Sequence, residues 1–288
     1  MNSTPDVSAG PVLSIPRLPD LAAELAPLLA VRRAPAIATV KEIRKREWAR
    51  IAAWQLAQIN ELTGMDVSLA LTGATDAIVR HLVERAAAKA EAPADLGGEV
   101  GVFALGGYGR GELNPFSDLD LIVLHREARP PPWLEAFNAE FQPLLWDCGF
   151  TVGASKRAVP ELAHILESDA VTGTAVLEQR LLVGTSTIDA ALQQVLERFR
   201  RREAKPFLRY KVEETLGRRQ KVGASPFTLE PNLKTNPGGL RDVQFLRNIA
   251  YMVFGSRNLH ALRDFEVLEW DDVKRLFDAN DHHLRLRS

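Results

Sequence analysis

The stretch that most constrains this 288-residue chain is FALGGYGRGELNPFSDLDLIVLH, residues 103–125. Two apolar runs, EVGVFALGG and DLDLIVLH, flank a glycine-rich connection, so the chain is expected to place two short strands and a tight turn here. Side chains two residues apart on a strand share a face, so Asp118 and Asp120 project together while Leu119, Leu121 and Val123 face the other way. Two carboxylates at the head of a buried strand repel each other and need a neutralising partner. A divalent cation supplies one, and hard oxygen ligands without a nearby His or Cys cluster favour magnesium, Mg2+, over zinc. Magnesium seldom sits in an all-protein cage. It uses one or two carboxylates plus substrate phosphates, so the pair implies a nucleoside triphosphate or similar ligand.

The glycines supply the other half of such a site. Gly106 and Gly107, at a strand end and opening a helical turn, let backbone N–H groups approach a phosphate without an intervening Cβ. Arg110 is placed to reach a phosphate oxygen as a cation, and Ser117 is a turn residue that can also donate to one. Spacing excludes two other glycine motifs. In GGYGRGE the third glycine of a G-x-G-x-x-G pattern would fall on Glu112, and no Gly-Lys-Ser/Thr follows to make a Walker loop. Alone, Gly-Gly reads as a turn and Asp-x-Asp as a solvated strand start; the ordered combination points to nucleotidyl chemistry.

Around this centre the hydrophobic period is helical. Residues 1–20 are rich in Pro, Ser and Asp and read as a disordered tail. Residues 21–95 form an N-terminal helical region in which Met65, Leu69 and Leu71 read as core contacts. Residues 96–200 hold the strands, with GFTVGASKRA as a third, a helix over 133–147, and a return to helical period from Val159 through LEQRLLVG. Residues 201–288 form a second helical region, interrupted over 225–246, where Pro226, Pro231 and Pro237 forbid a continuous helix. Its final helical pattern runs out uncapped, which predicts a truncated region of a longer protein. The expected class is α+β, a small mixed sheet carrying the metal site at its edge and flanked by N- and C-terminal helical regions.

Composition adds exclusions. With 46% hydrophobic and 25% charged residues and a net charge of −1, the chain resembles an ordinary globular protein. That charge argues neither for nor against a nucleic-acid partner, and none is expected. No apolar run approaches a membrane span and the N-terminus has no signal-peptide pattern, so no membrane role is expected. The single cysteine, Cys148, reads as a small buried apolar residue and fits a reducing, cytoplasmic setting.

The strand, GG and DLDL order resembles the DNA polymerase β-like nucleotidyltransferase superfamily. The fuller string GGYGRGELNPFSDLDLIVL, followed by LLWDCGFTVGASKR, LEQRLLVG and LEPNLKTNPGGLRDVQFL, resembles the N-terminal part of the bacterial PII-uridylyltransferase family over roughly residues 95–288. The resemblance implies that Asp118 and Asp120 bind catalytic magnesium and that Gly106 and Gly107 hold the phosphates of UTP. The acceptor it implies is a tyrosine of the PII signalling protein, with pyrophosphate released, which makes PII and UTP the expected partners. It also implies that the UMP-removing and glutamine-sensing domains of full-length relatives lie beyond this chain.

The superfamily usually adds a third carboxylate from a following strand, and FTVGASKR contains none. Asp147, Asp169 and Glu178 are the nearest acids in sequence, with Glu178 the first choice. The EPNLK…PGGLRD block offers Glu230, Lys234, Arg241 and Asp242, either as nucleotide or partner contacts or as a structural brace. The basic residues from Arg198 to Lys205, with Arg218, Arg219 and Lys221, read as a solvated helix face. His125 and Asp281-His282-His283 lack the dispersed partner ligands of a metal site and read as non-sites. Two other readings stay open: a related nucleotidyltransferase with another acceptor, and a catalytically silent nucleotide-binding module.

Overall fold

The computed structural model describes residues 20–222 and 232–288. The chain opens with α1 (Leu21–Leu25), capped by the Asp20 carboxylate, which accepts from the Ala23 N–H at 3.0 Å. A 3-10 turn over Ala26–Ala30, begun at Pro27, replaces the continuous helix read from the sequence, and α2 (Arg33–Ala57) follows. The next helix, α3 (Gly64–Lys89), starts with a capping box: Thr63 Oγ1 accepts from the Asp66 N–H at 3.1 Å, and Asp66 Oδ2 accepts from the Thr63 N–H at 2.9 Å. Of the core contacts expected here, Leu71 is buried, Met65 partly so, and Leu69 is exposed.

The strand-bearing segment then runs β1 (Val100–Ala104), the one-turn helix α4 (Gly106–Gly109), β2 (Leu119–His125), α5 (Leu134–Asp147) and β3 (Val152–Ala158). After it come α6 (Val159–Ser168), α7 (Ala170–Leu177), β4 (Arg180–Val183) and the long α8 (Ser186–Val222). The last helices are α9 (Leu240–Phe254), α10 (His260–Asp264) and α11 (Trp270–Arg287). The sheet order is β3-β2-β1-β4, with β2 and β3 parallel and the other two pairings antiparallel, so the architecture is α+β with a small mixed sheet.

β4 corrects the helical reading of LEQRLLVG. Four residues are too few to show a period of two, and the open edge of β1 decides the matter by pairing Ala104 with Arg180 and Phe103 with Leu181. Gly184, at φ +137°, lets the chain leave the sheet against Gly101, whose Cα lies 3.0 Å from where a Gly184 Cβ would stand.

Both faces of the central strands are buried. Val102, Ala104, Leu119, Leu121 and Val123 enter one core with α2, α3 and α5 residues such as Ile51, Leu82 and Phe141. Phe103, Ile122 and Leu124 enter a second core with Leu162, Leu192 and Leu196 of α6 and α8. Asp120 therefore occupies the last position of a face that turns apolar two residues later. The C-terminal helices share a small core around Val243, Ala250, Leu259 and Leu262.

The end of the chain returns to its beginning. A Cβ on Gly64 would overlap the backbone of Asp281 and Arg285, and Asp281 Oδ1 accepts from the Met65 N–H at 3.0 Å. This crossing of α3 and α11 brings Leu284 and Arg287 to the mouth of the cleft that Asp118 and Asp120 line. No helix among the described residues is long and apolar enough to cross a membrane.

Candidate active site

The glycine turn is tied to the aspartate strand through the backbone. The Leu105 N–H donates to the Asp120 carbonyl at 2.8 Å, and Arg110 and Glu112 close the turn by donating to the carbonyls of Gly106 (3.0 Å) and Gly107 (2.9 Å). Gly106 adopts φ +53°, and a Cβ there would lie 3.4 Å from Asp120 Oδ2. On the other side, Asp120 pairs in register with Gly153 of β3, where a Cβ would lie 3.0 Å from Asp120 Oδ1. Glycines on both flanks thus keep open the space around this carboxylate.

Asp118 and Asp120 are exposed to the cleft, whereas Leu119 between them is buried. The site lies at the head of a central strand, not at the sheet edge expected from the sequence, because β3 and β1 cover β2 on both sides. Burial by the cleft walls, followed by the charge of Asp118, pushes the Asp120 carboxyl above its ordinary range; Lys234 and Arg110 act in the opposite direction. A pair of crowded carboxylates with free space beside them fits a divalent cation with hard oxygen ligands.

The cleft measures ≈ 630 Å³. Beside the aspartates and Gly106–Gly107 it is lined by Lys211, Lys234, Arg241 and Arg287. Burial and the charges of Arg241, Arg287 and Arg110 lower the Lys234 ammonium below its usual range, with Asp120 opposing. Arg241 Nε is buried without an acceptor among the described residues. Lys211 is paired with Glu214, which also lines the cleft, so Lys234, Arg241 and Arg287 are the cations of this wall that a metal-bound polyphosphate would meet.

Arg110 is held differently from a free phosphate-binding cation. Its Nε donates to Glu112 at 2.6 Å and its Nη1 to Glu178, while Arg247 of α9 donates to the other Glu112 oxygen. Burial would raise the Glu112 carboxyl, but Arg110 and Arg247 override it and hold it below the ordinary range. Glu178, at the end of α7, lines the cleft with one oxygen committed to Arg110 and the other buried without a partner among the described residues. The other two acids considered for a third ligand lie in other roles: Asp147 pairs with Arg33 at 2.8 Å, and Asp169 caps α7 through the Val171 and Thr172 N–H groups. β3 carries no acid, and no cluster of three or more His, Cys, Asp or Glu side chains suited to a metal exists among the described residues.

Ser117 Oγ accepts from the Asn114 N–H at 3.0 Å, which fixes the turn just before Asp118, and it also lines the cleft. Asp242 is a brace: it accepts from Arg218 at 2.6 Å, from Arg219 at 3.1 Å and from the Gly238 N–H at 2.9 Å. Arg218 and Arg219 are therefore anchors within the basic stretch, and Arg200 and Arg201 pair with Glu197. Glu230 lies outside the described residues. His125 Nδ1 contacts the Glu127 carbonyl at 2.6 Å, and His283 Nε2 contacts that of Gly238 at 2.9 Å.

Lys211, Gln244 and Arg287 join the cleft without having been singled out in the sequence. Lys211 is buried and paired with Glu214 on α8, an arrangement that only the fold reveals. Arg287 reaches the site only through the α3–α11 crossing, which no local pattern encodes.

Comparison with known proteins agrees with this geometry. Family models match for the nucleotidyltransferase domain over residues 89–222, for GlnD PII-uridylyltransferase over 206–288, and for glutamate-ammonia ligase adenylyltransferase over 11–139. The chain is 37% identical over 188 residues to the bifunctional uridylyltransferase/uridylyl-removing enzyme of Pseudomonas putida (strain W619), covering 65% of this chain and 21% of that protein. It is 38% identical over 170 residues to the like-named enzyme of Stutzerimonas stutzeri, covering 59% and 19%. With that of Vibrio parahaemolyticus it shares 36% over 188 residues, covering 65% and 21%. The chain spans about a fifth of the length of the curated relatives it matches. The strand-turn-strand site at its centre and the matches on both sides of it lead to one conclusion: the chain is similar to the N-terminal nucleotidyltransferase region of PII-uridylyltransferases.

Proposed function

We propose that this chain transfers UMP from UTP to a tyrosine hydroxyl of the PII signalling protein, releasing pyrophosphate in the cytoplasm. The observation that carries the reading is the cleft itself, in which Asp118 and Asp120 face Lys234, Arg241 and Arg287 across a space bordered by Gly106 and Gly107. Asp118 and Asp120 would hold Mg2+, which when bound supplies charge neutralisation for in-line displacement at the α-phosphorus. The Gly106–Gly107 backbone lets the phosphates approach closely, and the cationic wall offsets their charge and orients them. Arg110 also lines this cleft, where Glu112 and Glu178 hold its guanidinium. In this reading residues 96–200 supply the catalytic core and 201–288 supply most of the cationic wall.

A second reading, a nucleotidyltransferase with another acceptor, is favoured by the adenylyltransferase match over 11–139. One experiment separates the two. The chain is incubated with Mg2+, PII and each of four labelled nucleoside triphosphates, then with glutamine synthetase in place of PII. Label from UTP on PII alone is expected. Label from ATP on glutamine synthetase would establish the second reading and overturn the first.

A further inference from the structure

Phe116 is 97% exposed, the most exposed of the large apolar side chains among the described residues. It lies two residues before Asp118 on a turn fixed from both ends: the Ser117 N–H donates to the Asn114 carbonyl at 3.0 Å, and the Asn114 N–H donates to Ser117 Oγ at 3.0 Å. Asn114 is itself buried, its Nδ2 donating to the Glu112 carbonyl at 3.2 Å. The ring is thus presented by a braced backbone at the rim of the metal site.

It also stands between two depressions. On one side is the catalytic cleft; on the other is a ≈ 170 Å³ pocket lined by Arg44, Trp48, Phe150 and Thr151, with Phe116 bordering both. In that pocket the Arg44 guanidinium lies 4.6 Å from the centre of the Phe150 ring and 5.5 Å from that of Trp48. A polypeptide segment crossing the ridge could contact both depressions and still bring a hydroxyl to the aspartates.

We propose that Phe116 and the Arg44–Trp48–Phe150 pocket form the acceptor-docking surface, occupied by the segment of the acceptor protein that carries the modified tyrosine. The inference rests on the proposed transfer to a protein tyrosine. An aromatic ring on a rigid turn gives contact area at little cost in conformational entropy, which is why such residues anchor protein interfaces.

The test compares wild-type chain with Phe116→Ala and Phe116→Leu, measuring KM and kcat for PII at saturating UTP, and UTP affinity by calorimetry in Mg2+. Phe116→Ala is expected to raise KM for PII by about tenfold or more with kcat and UTP affinity unchanged, and Phe116→Leu to recover part of the loss. An unchanged melting temperature shows that the fold is intact. A lower UTP affinity with unchanged KM for PII would assign Phe116 to the nucleobase, and no change in either would leave it without a docking role; each overturns the inference while leaving the transfer reading in place. A wild-type chain that binds UTP but never labels PII overturns both.

Discussion

Gly106, Gly107 and Gly109 lie within one turn, yet an added methyl group would meet something different at each. At Gly109 it would overlap the Glu178 carbonyl oxygen, at Gly106 it would enter the space beside Asp120 on a left-handed backbone, and at Gly107 its nearest neighbour is Arg110 Nη2 at 3.8 Å. Gly109→Ala is therefore expected to cost roughly 1–3 kcal/mol of stability or more. Gly106→Ala should cost about 1–2 kcal/mol and also weaken UTP binding, whereas Gly107→Ala should leave stability nearly unchanged. Thermal melts with parallel UTP titrations check the ranking, and a Gly107→Ala loss equal to that of Gly109→Ala would contradict it. A second prediction concerns Cys148, whose thiol burial pushes up to about 11. It should resist thiol reagents at pH 8 until the chain is unfolded. Because the unfolded thiol ionises first, at about 8.5, this group's contribution to stability should fall as pH rises from there towards 11.

Between elements, the Arg110–Glu112–Arg247 network joins the glycine turn to α9 through a carboxylate only 3% exposed. Glu112→Gln leaves two buried guanidiniums short of charge and should cost about 3–5 kcal/mol, part of which Arg247→Met in the same chain should restore. A double-mutant cycle by chemical denaturation measures this. A coupling near zero would mean that α9 is held by its apolar contacts alone. The stabilising charge on Glu112 should persist at neutral pH and be lost only in acid, as pH falls through its depressed pKa. None of this was legible from the sequence, since residues 112 and 247 are linked only by the folded backbone. The same holds for β4, where pairing with β1 outweighed an ambiguous local pattern, and for the α3–α11 crossing at Gly64. The strands β1, β2 and β3 were readable, because short apolar or β-branched runs bounded by glycines and prolines are local signals.

At the scale of the whole molecule, the sequence disclosed one wall of the cleft and only part of the other. Asp118, Asp120, Gly106 and Gly107 belong to a single continuous stretch: the two aspartates share a face by the alternation of an extended chain, and the β1–β2 pairing brings the glycine turn beside them. The opposing cations come from α8, α11 and the segment around α9, so Lys211 and Arg287 could be placed only by the fold. Asp242, which the sequence left as either contact or brace, braces because Arg218 and Arg219 reach it from α8. If both walls act on one ligand, Lys234→Ala and Arg241→Ala should each weaken UTP binding by about tenfold while leaving the melting temperature nearly unchanged. The central claim is that Asp118 and Asp120 form a divalent-metal seat for the triphosphate. The most direct measurement is calorimetric titration of UTP into wild-type chain and into the Asp118→Asn, Asp120→Asn double variant, with Mg2+ and then with chelator. Wild-type binding that needs Mg2+ and is abolished in the double variant is the predicted result; equal binding by both chains, indifferent to chelation, would contradict it.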